Sequence, residues 1–397
     1  MIAVQELDRV LSGLRVGSGS EEVDLHRAAG RVLAREVATD RDIPPYDRVC
    51  MDGFALRWDE WNAGRRSYAL SGSRPAGSER GAPAAPGSCV EVTTGSAAPV
   101  GCDLVVRLED SEVRDEGILL HPDHVIRGQN LHWRGTDARA GAVVLPEGIP
   151  LGAPEIGVLA SVGVSKVPVR TLPRVAVCST GNELVDVETQ PLPHQVRRSN
   201  DRFVEALLAT HGLPTATRMP LRDVEDELVE GIERVLAAHE VVVLSGGVSA
   251  SKVDLVPGAL KDLGVEILAH GIAQKPGKPF LCGIGPQGQL VAALPGNPMA
   301  AAVCMRRHVL PALLRAVGRP LVVATVRLAE PFERLPKLVR YAACTVRRTE
   351  SGCLEARLKP GNGSGDYLHL AGSHGILEIL PGSTPLEAGA LAEFHPW

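Results

Sequence analysis

The sequence predicts a multidomain α/β plus β protein. At its centre is a mainly parallel α/β three-layer domain. Around it are an inserted β-rich domain, a discontinuous helical linker domain and a C-terminal small β-barrel. Three observations carry this expectation. The chain has 397 residues, which points to about two to four domains. Residues 174–320 alternate short apolar runs ending in glycine with helical stretches, the order that builds a parallel sheet covered on both faces. Residues 39–142 and 321–397 instead carry short apolar runs separated by turn residues, as in small all-β domains.

In order, residues 1–38 read as helical. Val4, Leu7, Val10, Leu11 and Leu14 recur at the helical period. Gly30 separates a second helical segment near 23–29 from a third at 31–37. Residues 39–142 hold the strand-like runs YALSGS, SCVEVTTGS, CDLVVRLED and GILLHP. Helix returns in APEIGVLASVGV before the strand KVPVRTL. Residues 39–142 therefore read as an insertion between 1–38 and 143–173, which would pack together. In 174–320, RVAVCSTG and EVVVLSGG are buried strands ending in glycine turns. Ser199 or Asn200 is placed to cap a helix over 201–211, and Gly212 to end it. Val224, Leu228, Ile232, Val235 and Leu236 stripe the next helix. A further helix runs from about 254 to 263, with Pro257 in its first turn. LVVATVRLAEPF, LVRYAACTVRRTE, CLEARLKP and ILEILP supply the strands of 321–397.

Composition excludes several classes. Formal net charge is −5 with mixed signs, against the basic excess of a nucleic-acid protein. Eight cysteines are scattered with no C-x-x-C, against a zinc site or disulfide framework. No apolar run reaches the roughly 18 residues of a membrane span. The N-terminal residues do not read as a signal peptide, and a cytoplasmic location is the expectation.

Ligands of open parallel sheets bind beyond the carboxyl ends of the strands. Three glycine turns fall there: Ser179-Thr180-Gly181, Ser245-Gly246-Gly247-Val248-Ser249, and Pro295-Gly296-Asn297-Pro298. Their backbone N–H groups suit anions. KPFLCGI, GPQG and QLVAALPG read as an antiparallel hairpin, which brings Lys275 and Lys278 beside Gly296 and Asn297. Two cations facing glycine loops imply a polyanionic ligand, a phosphate or an oxyanion. Glu183 and Asp254 lie beside those loops, as Mg²⁺ ligands shared with substrate phosphate do. The Gly283-to-Gly288 match to G-x-G-x-x-G precedes a strand, not a helix, and is discounted. No Walker A sequence occurs. His121 and His124 read as surface histidines, Arg197 and Arg198 as solvated or, as the alternative, meeting phosphate at the helix start, and Cys178 as core packing.

MDGFA, STGNEL, SGGVS followed by Asp254, KPGKP and LPGNP occur in that order, with GSGDYLHLAGSHGILEILP near the end. Over essentially the whole chain this closely resembles the molybdopterin molybdenumtransferase family, whose module also occurs in gephyrin and in plant molybdenum-cofactor synthetic enzymes. The resemblance implies insertion of molybdate into adenylylated molybdopterin, with release of AMP and a requirement for Mg²⁺. It also implies an elongated homodimer of four-domain subunits, with a site shared between the α/β domain of one subunit and the MDG domain of the other. Transient contact with other molybdenum-cofactor enzymes is a further expectation.

Carried over residue by residue, Asp52 would reach the site from the partner subunit, and Thr94 matches the Thr-Gly of the same domain. Glu183 and Asp254 match metal-loop acids, and Asp223 a family aspartate. Lys275 and Lys278 would hold molybdate or phosphate. Asn297 and Pro298 shape the pterin-side loop. Arg340 and Ser364 match positions on the molybdate side. The chain departs from the family pattern at Asn182 (usually Asp), at Ala250-Ser251-Lys252, and at Thr136 before Asp137. These leave open a catalytically altered paralogue that binds the pterin or acts as a scaffold. A molybdopterin adenylyltransferase is a further alternative, against which the extra domains argue.

Overall fold

The alternation of 174–320 becomes a six-stranded sheet in the computed structural model, which describes residues 1–13, 16–17, 19–81, 84–248 and 254–397. The chain divides into two units. One comprises Met1–Glu21, Gly30–Val32 and Pro168–Trp397, the other Glu22–Ala29 and Leu33–Val167. Among the described residues, no helix is long and apolar enough to cross a membrane.

In the first unit, the strand order is Thr215–Leu221, Val175–Thr180, Val241–Ser245, Leu290–Leu294, Leu281–Ile284, Glu266–His270. The first four are mutually parallel. Leu281–Ile284 runs antiparallel to both its neighbours, so the expected hairpin forms, with Leu281 opposite Ala293. Residue parity decides the layers. Val175, Val177, Val241 and Val243 face one core with helices Val4–Ser12, Asn200–Thr210, Pro298–Cys304 and Leu310–Ala316. Ala176, Cys178, Val242 and Leu244 face the other, under helices Glu225–Ala238 and Val256–Asp262. Each fully buried Val or Leu contributes about 1.5–3 kcal/mol. Burial on both faces therefore fixes the register of these short strands.

The C-terminal strands Ala324–Leu328, Val339–Arg348, Leu354–Leu358, Gly375–Ile379 and Leu391–Pro396 close on themselves, because Val339–Arg348 pairs with both Leu354–Leu358 and Gly375–Ile379. The result is a five-stranded barrel filled by Val326, Leu328, Phe332, Leu377 and Phe394. A sixth strand, Gln274–Lys275, comes from the α/β part and pairs in parallel with Val339–Arg348.

The second unit holds a six-stranded sheet in the order Leu104–Arg107, Gly53–Leu56, Ser88–Val92, Ser67–Arg74, Gly117–Leu120, Ser111–Arg114. It also carries helix Ala153–Ser161.

Two helical expectations fail. Around residues 23–29 the chain is a strand, Ser20–Asp24, and a single tight turn, Leu25–Arg27. Residues 31–37 are not helical. Val32 O accepts from Arg170 N, and Leu33 exchanges backbone bonds with Gly148 and Ile149. Backbone groups committed to distant partners cannot build a helical ladder. The range 1–38 also does not stay together. Val4, Leu7 and Leu11 bury against the α/β core, so helix Val4–Ser12 lies in the first unit while residues 143–167 lie in the second.

Candidate active site

At the carboxyl ends of the parallel strands, the glycine turns surround a cavity of about 710 Å³. It is lined by Ser179, Thr180, Gly181, Glu183, Asp223, Ser245, Gly246, Gly247, Asp254, Gly296, Asn297 and Pro298. Ser249 and the departures Ala250, Ser251 and Lys252 lie outside the described residues. A second cavity of about 580 Å³ is lined by Lys275, Lys278, Asn297, Arg340 and Ser364. Pro279, Pro295 and Asn297 belong to both. Thus the sequence motifs of 174–397 converge on two adjoining cavities, one walled by loops and carboxylates, the other by cations.

The loops are shaped by close backbone approach. Gly246 has φ +102°, and a Cβ there would fall 2.4 Å from Thr180 O. Only glycine allows these two strand ends to meet so closely. Gly246 N donates to Leu294 O at 3.1 Å, tying the second loop to strand Leu290–Leu294. Asn200 completes the link. It does not cap its helix through its side chain. Instead Nδ2 donates to Ser245 Oγ at 2.8 Å and to Gly296 O at 2.9 Å.

Glu183, Asp223 and Asp254 form the acidic side. Burial pushes the Asp223 carboxyl above its ordinary range, and the charges of Glu183 and Asp254 push in the same direction. Among the described residues, Asp254 Oδ2 is buried without a hydrogen-bond partner. Mutually repelling carboxylates with an orphaned oxygen fit a hard cation bound through oxygen. Their oxygens are not gathered to one point: the one set of three ligating groups within 4.8 Å among the described residues is Glu378, Glu393 and His395, in the barrel. Asn182, where the family usually has Asp, bonds the Asp223 backbone at both ends of its amide. Its Oδ1 accepts from Asp223 N at 3.2 Å and its Nδ2 donates to Asp223 O at 3.5 Å. An aspartate could make only the first of these bonds.

On the cationic side, Lys275 stands directly opposite Arg340 in the parallel register. The strand is anchored by buried Gln274, whose Nε2 donates to Pro276 O at 3.0 Å while its Oε1 lies 2.8 Å from His308 Nε2. Arg340 donates to Glu333 O and lies 4.6 Å over the Phe332 ring. Asn297 Nδ2 donates to Ser364 Oγ at 3.0 Å.

Asp52 and Thr94 lie in the second unit and meet each other. Asp52 Oδ1 accepts from Thr94 N at 2.6 Å and from Thr94 Oγ1 at 2.8 Å. These bonds, the backbone one first, hold the Asp52 carboxyl below its ordinary range. It is therefore an exposed anion at neutral pH.

Several lining residues take roles other than those their local sequence suggests. Arg198 does not fit the solvated expectation: its side chain is 9 % exposed, paired with Asp186, and it lines the loop cavity. Asn200 carried a visible polar signal at a helix start, but its partners are 45 and 96 residues away. Lys359 lines the cation cavity without any motif of its own, and His369, within GSGDYLHL, lines it too. His121 and His124 are exposed, as expected, and Cys178 is fully buried.

Known proteins match this arrangement. A family model described as "MoeA N-terminal region (domain I and II)" matches residues 2–163, and one described as "Probable molybdopterin binding domain" matches 176–315. The molybdopterin molybdenumtransferase of Synechocystis sp. is 33% identical, covering 100% of both chains. That of Staphylococcus epidermidis is 26% identical over 99% of this chain and 94% of its own. The crystal structure of the molybdopterin biosynthesis MoeA protein from Pyrococcus horikoshii OT3 superposes with a TM-score of 0.83 at 26% identity, covering 100% of both chains.

Proposed function

The chain belongs to the molybdopterin molybdenumtransferase family, and on that premise we propose that it inserts molybdate into adenylylated molybdopterin and releases AMP. One observation carries this reading: the cavity of glycine loops and carboxylates and the cavity of Lys275, Lys278 and Arg340 share Asn297. A nucleotide-linked pterin phosphate and a separate oxyanion need just such adjoining environments.

In this reading, the turns at Gly181, Gly246, Gly247 and Gly296 receive the phosphates through backbone N–H groups. Lys275, Lys278, Arg340 and Ser364 hold molybdate, a dianion that suits charge-assisted donors. Asn297 and Pro298 keep the pterin side in register with it. Cleavage of the phosphoanhydride is helped mainly by charge neutralisation and positioning. Glu183 and Asp254, with Asp223 beside them, would hold Mg²⁺, which supplies neutralising charge when bound. The chain would act as a homodimer, with Asp52 and Thr94 serving the site of the partner subunit.

The test is AMP release from adenylylated molybdopterin, with and without molybdate and Mg²⁺, using Asp254→Ala as control. Release that needs both ions and disappears in the variant supports the transferase. Tight pterin-nucleotide binding with no release would instead indicate a binding paralogue. Turnover of ATP with molybdopterin would indicate an adenylyltransferase. For the shared site, mixing inactive Asp52→Ala and Lys278→Ala proteins should restore activity in hybrid dimers, and a monomer by light scattering would remove that part.

A further inference from the structure

The cation cavity contains one titratable side chain for which the preceding account gives no task. His369 lines it beside Lys278, Arg340 and Lys359, with 9 % of its side chain exposed. Glycine at 361 makes room for the ring: a Cβ there would lie 2.7 Å from the ring Cγ and Nδ1. Among the described residues, Nδ1 is buried with no hydrogen-bond partner, 3.6 Å from Asp366 Oδ2. Asp366 is itself fixed by its own loop. Its Oδ2 accepts from Asn362 N at 3.0 Å and from Asn362 Nδ2 at 3.3 Å, and its Oδ1 accepts from His369 N at 3.4 Å. The Asn362 backbone bond, foremost among these, holds the Asp366 carboxyl below its ordinary range, so the neighbour of Nδ1 is an anion.

A buried imidazole nitrogen left unpaired beside a carboxylate is unusual for a group that only packs. Asp366 is a negative neighbour of the ring, and Lys275, Lys278, Arg340 and Lys359 line the same cavity. Lys359 is partly occupied, since Nζ donates to Ala371 O. Tyr341, which also lines the cavity, stays neutral because burial pushes its hydroxyl well above the ordinary range. The balance is therefore set by whatever anion enters. A dianion offsets the cations, and the ring then gains a second negative neighbour.

We infer that His369, oriented by Asp366 and seated on Gly361, is an oxyanion-binding residue of this cavity that takes up a proton as the oxyanion arrives. The inference rests on the reading of the cavity as the molybdate site. It makes oxyanion capture proton-linked, a property that fixed lysines and arginines do not confer over the physiological range.

The test is calorimetric titration of the full-length protein with molybdate alone at about pH 6, 7 and 8, in buffers of differing ionisation enthalpy. The wild type should bind about five- to tenfold more tightly at the lowest pH than at the highest, with net proton uptake. His369→Gln should lose both the rise and the uptake while unfolding at the wild-type temperature. Gly361→Ala, which displaces the ring without changing its chemistry, should blunt the same profile, so the inference does not depend on one variant. Lys278→Ala should weaken binding at every pH and leave the slope. Identical pH profiles and proton counts for wild type and His369→Gln overturn the inference alone, leaving the molybdate reading standing. No molybdate binding by the wild type at any pH overturns both.

Discussion

Asn297 Nδ2 donates to Ser364 Oγ at 3.0 Å, and Met299 N donates to Ser364 O at 3.1 Å. A helix start of the α/β part is thereby fastened to a loop of the barrel, at a residue common to both cavities. Asn297→Ala removes one of the two bonds. The exposed bond itself is worth about 0.5–1.5 kcal/mol, so thermal stability should change little. AMP release should fall about tenfold or more, because the two substrates lose their shared register. Steady-state kinetics beside a melting curve checks this. Equal loss of stability and activity would mean a merely structural bond.

Asp223 predicts an opposition between stability and metal binding. Its carboxyl is pushed up by burial and by Glu183 and Asp254. A group with a raised folded pKa contributes stability that is present at low pH and is lost as pH rises through the folded value. At neutral pH in a chelator, Asp223→Asn should therefore melt higher than wild type. Added Mg²⁺ should raise the wild-type melting temperature by more than that of the variant. A variant that melts lower in chelator contradicts the crowding argument.

Glu378 predicts acid sensitivity. Burial would raise its carboxyl, but bonds from His395 and Arg307 prevail and hold it at about 2. Arg307 also grips Asp8 at 2.7 and 2.9 Å, so the N-terminal helix is tied to the barrel through one guanidinium. The folded pKa lies below the unfolded one. This contribution is thus present above roughly pH 4.5 and is lost as pH falls toward about 2. Glu378→Ala leaves Arg307 and His395 without their buried partner and should cost about 3–5 kcal/mol at neutral pH. Urea unfolding at neutral and acid pH measures both, and the variant should show a flatter acid limb.

Gly53, in the MDG motif, predicts a steric limit. A Cβ there would lie 2.0 Å from Val106 O and 2.8 Å from its carbonyl carbon. Gly53→Ala must spread two paired strands and should destabilise the second unit by about 2–3 kcal/mol. The Asp52–Thr94 clamp, next to the substituted residue, should loosen with it. Hydrogen exchange at Thr94 N checks this. Unchanged protection there would show that the sheet yields without cost.

The sequence showed most where chemistry repeats locally. The alternating strands and helices of 174–320, the hairpin, and the glycine turns all announce themselves within a few residues. The loop cavity follows from strand direction, whereas the cation cavity also needs the barrel residues Arg340, Lys359 and Ser364. What stayed hidden depends on distant partners. Residues 31–37 have helical spacing, yet Val32 and Leu33 bond to Arg170, Gly148 and Ile149. Asn200 resembles a helix cap, yet it spans two loops that come together only in the folded sheet. His369 falls within GSGDYLHL, but nothing there marks it as a cavity residue until Gly361 and Asp366 are seen beside it.

The two-residue strand Gln274–Lys275 has a bearing on how this chain can be divided. It is made by one half of the first unit and completed by the other, where Arg340 is its register partner. Lys278 stays on the first side, and Lys359 and Ser364 on the second. Severing the chain near residue 321 would leave each fragment with part of the basic wall and an unpaired strand edge. On the proposed reading, oxyanion capture needs both halves of the first unit together, since each supplies only part of the basic wall.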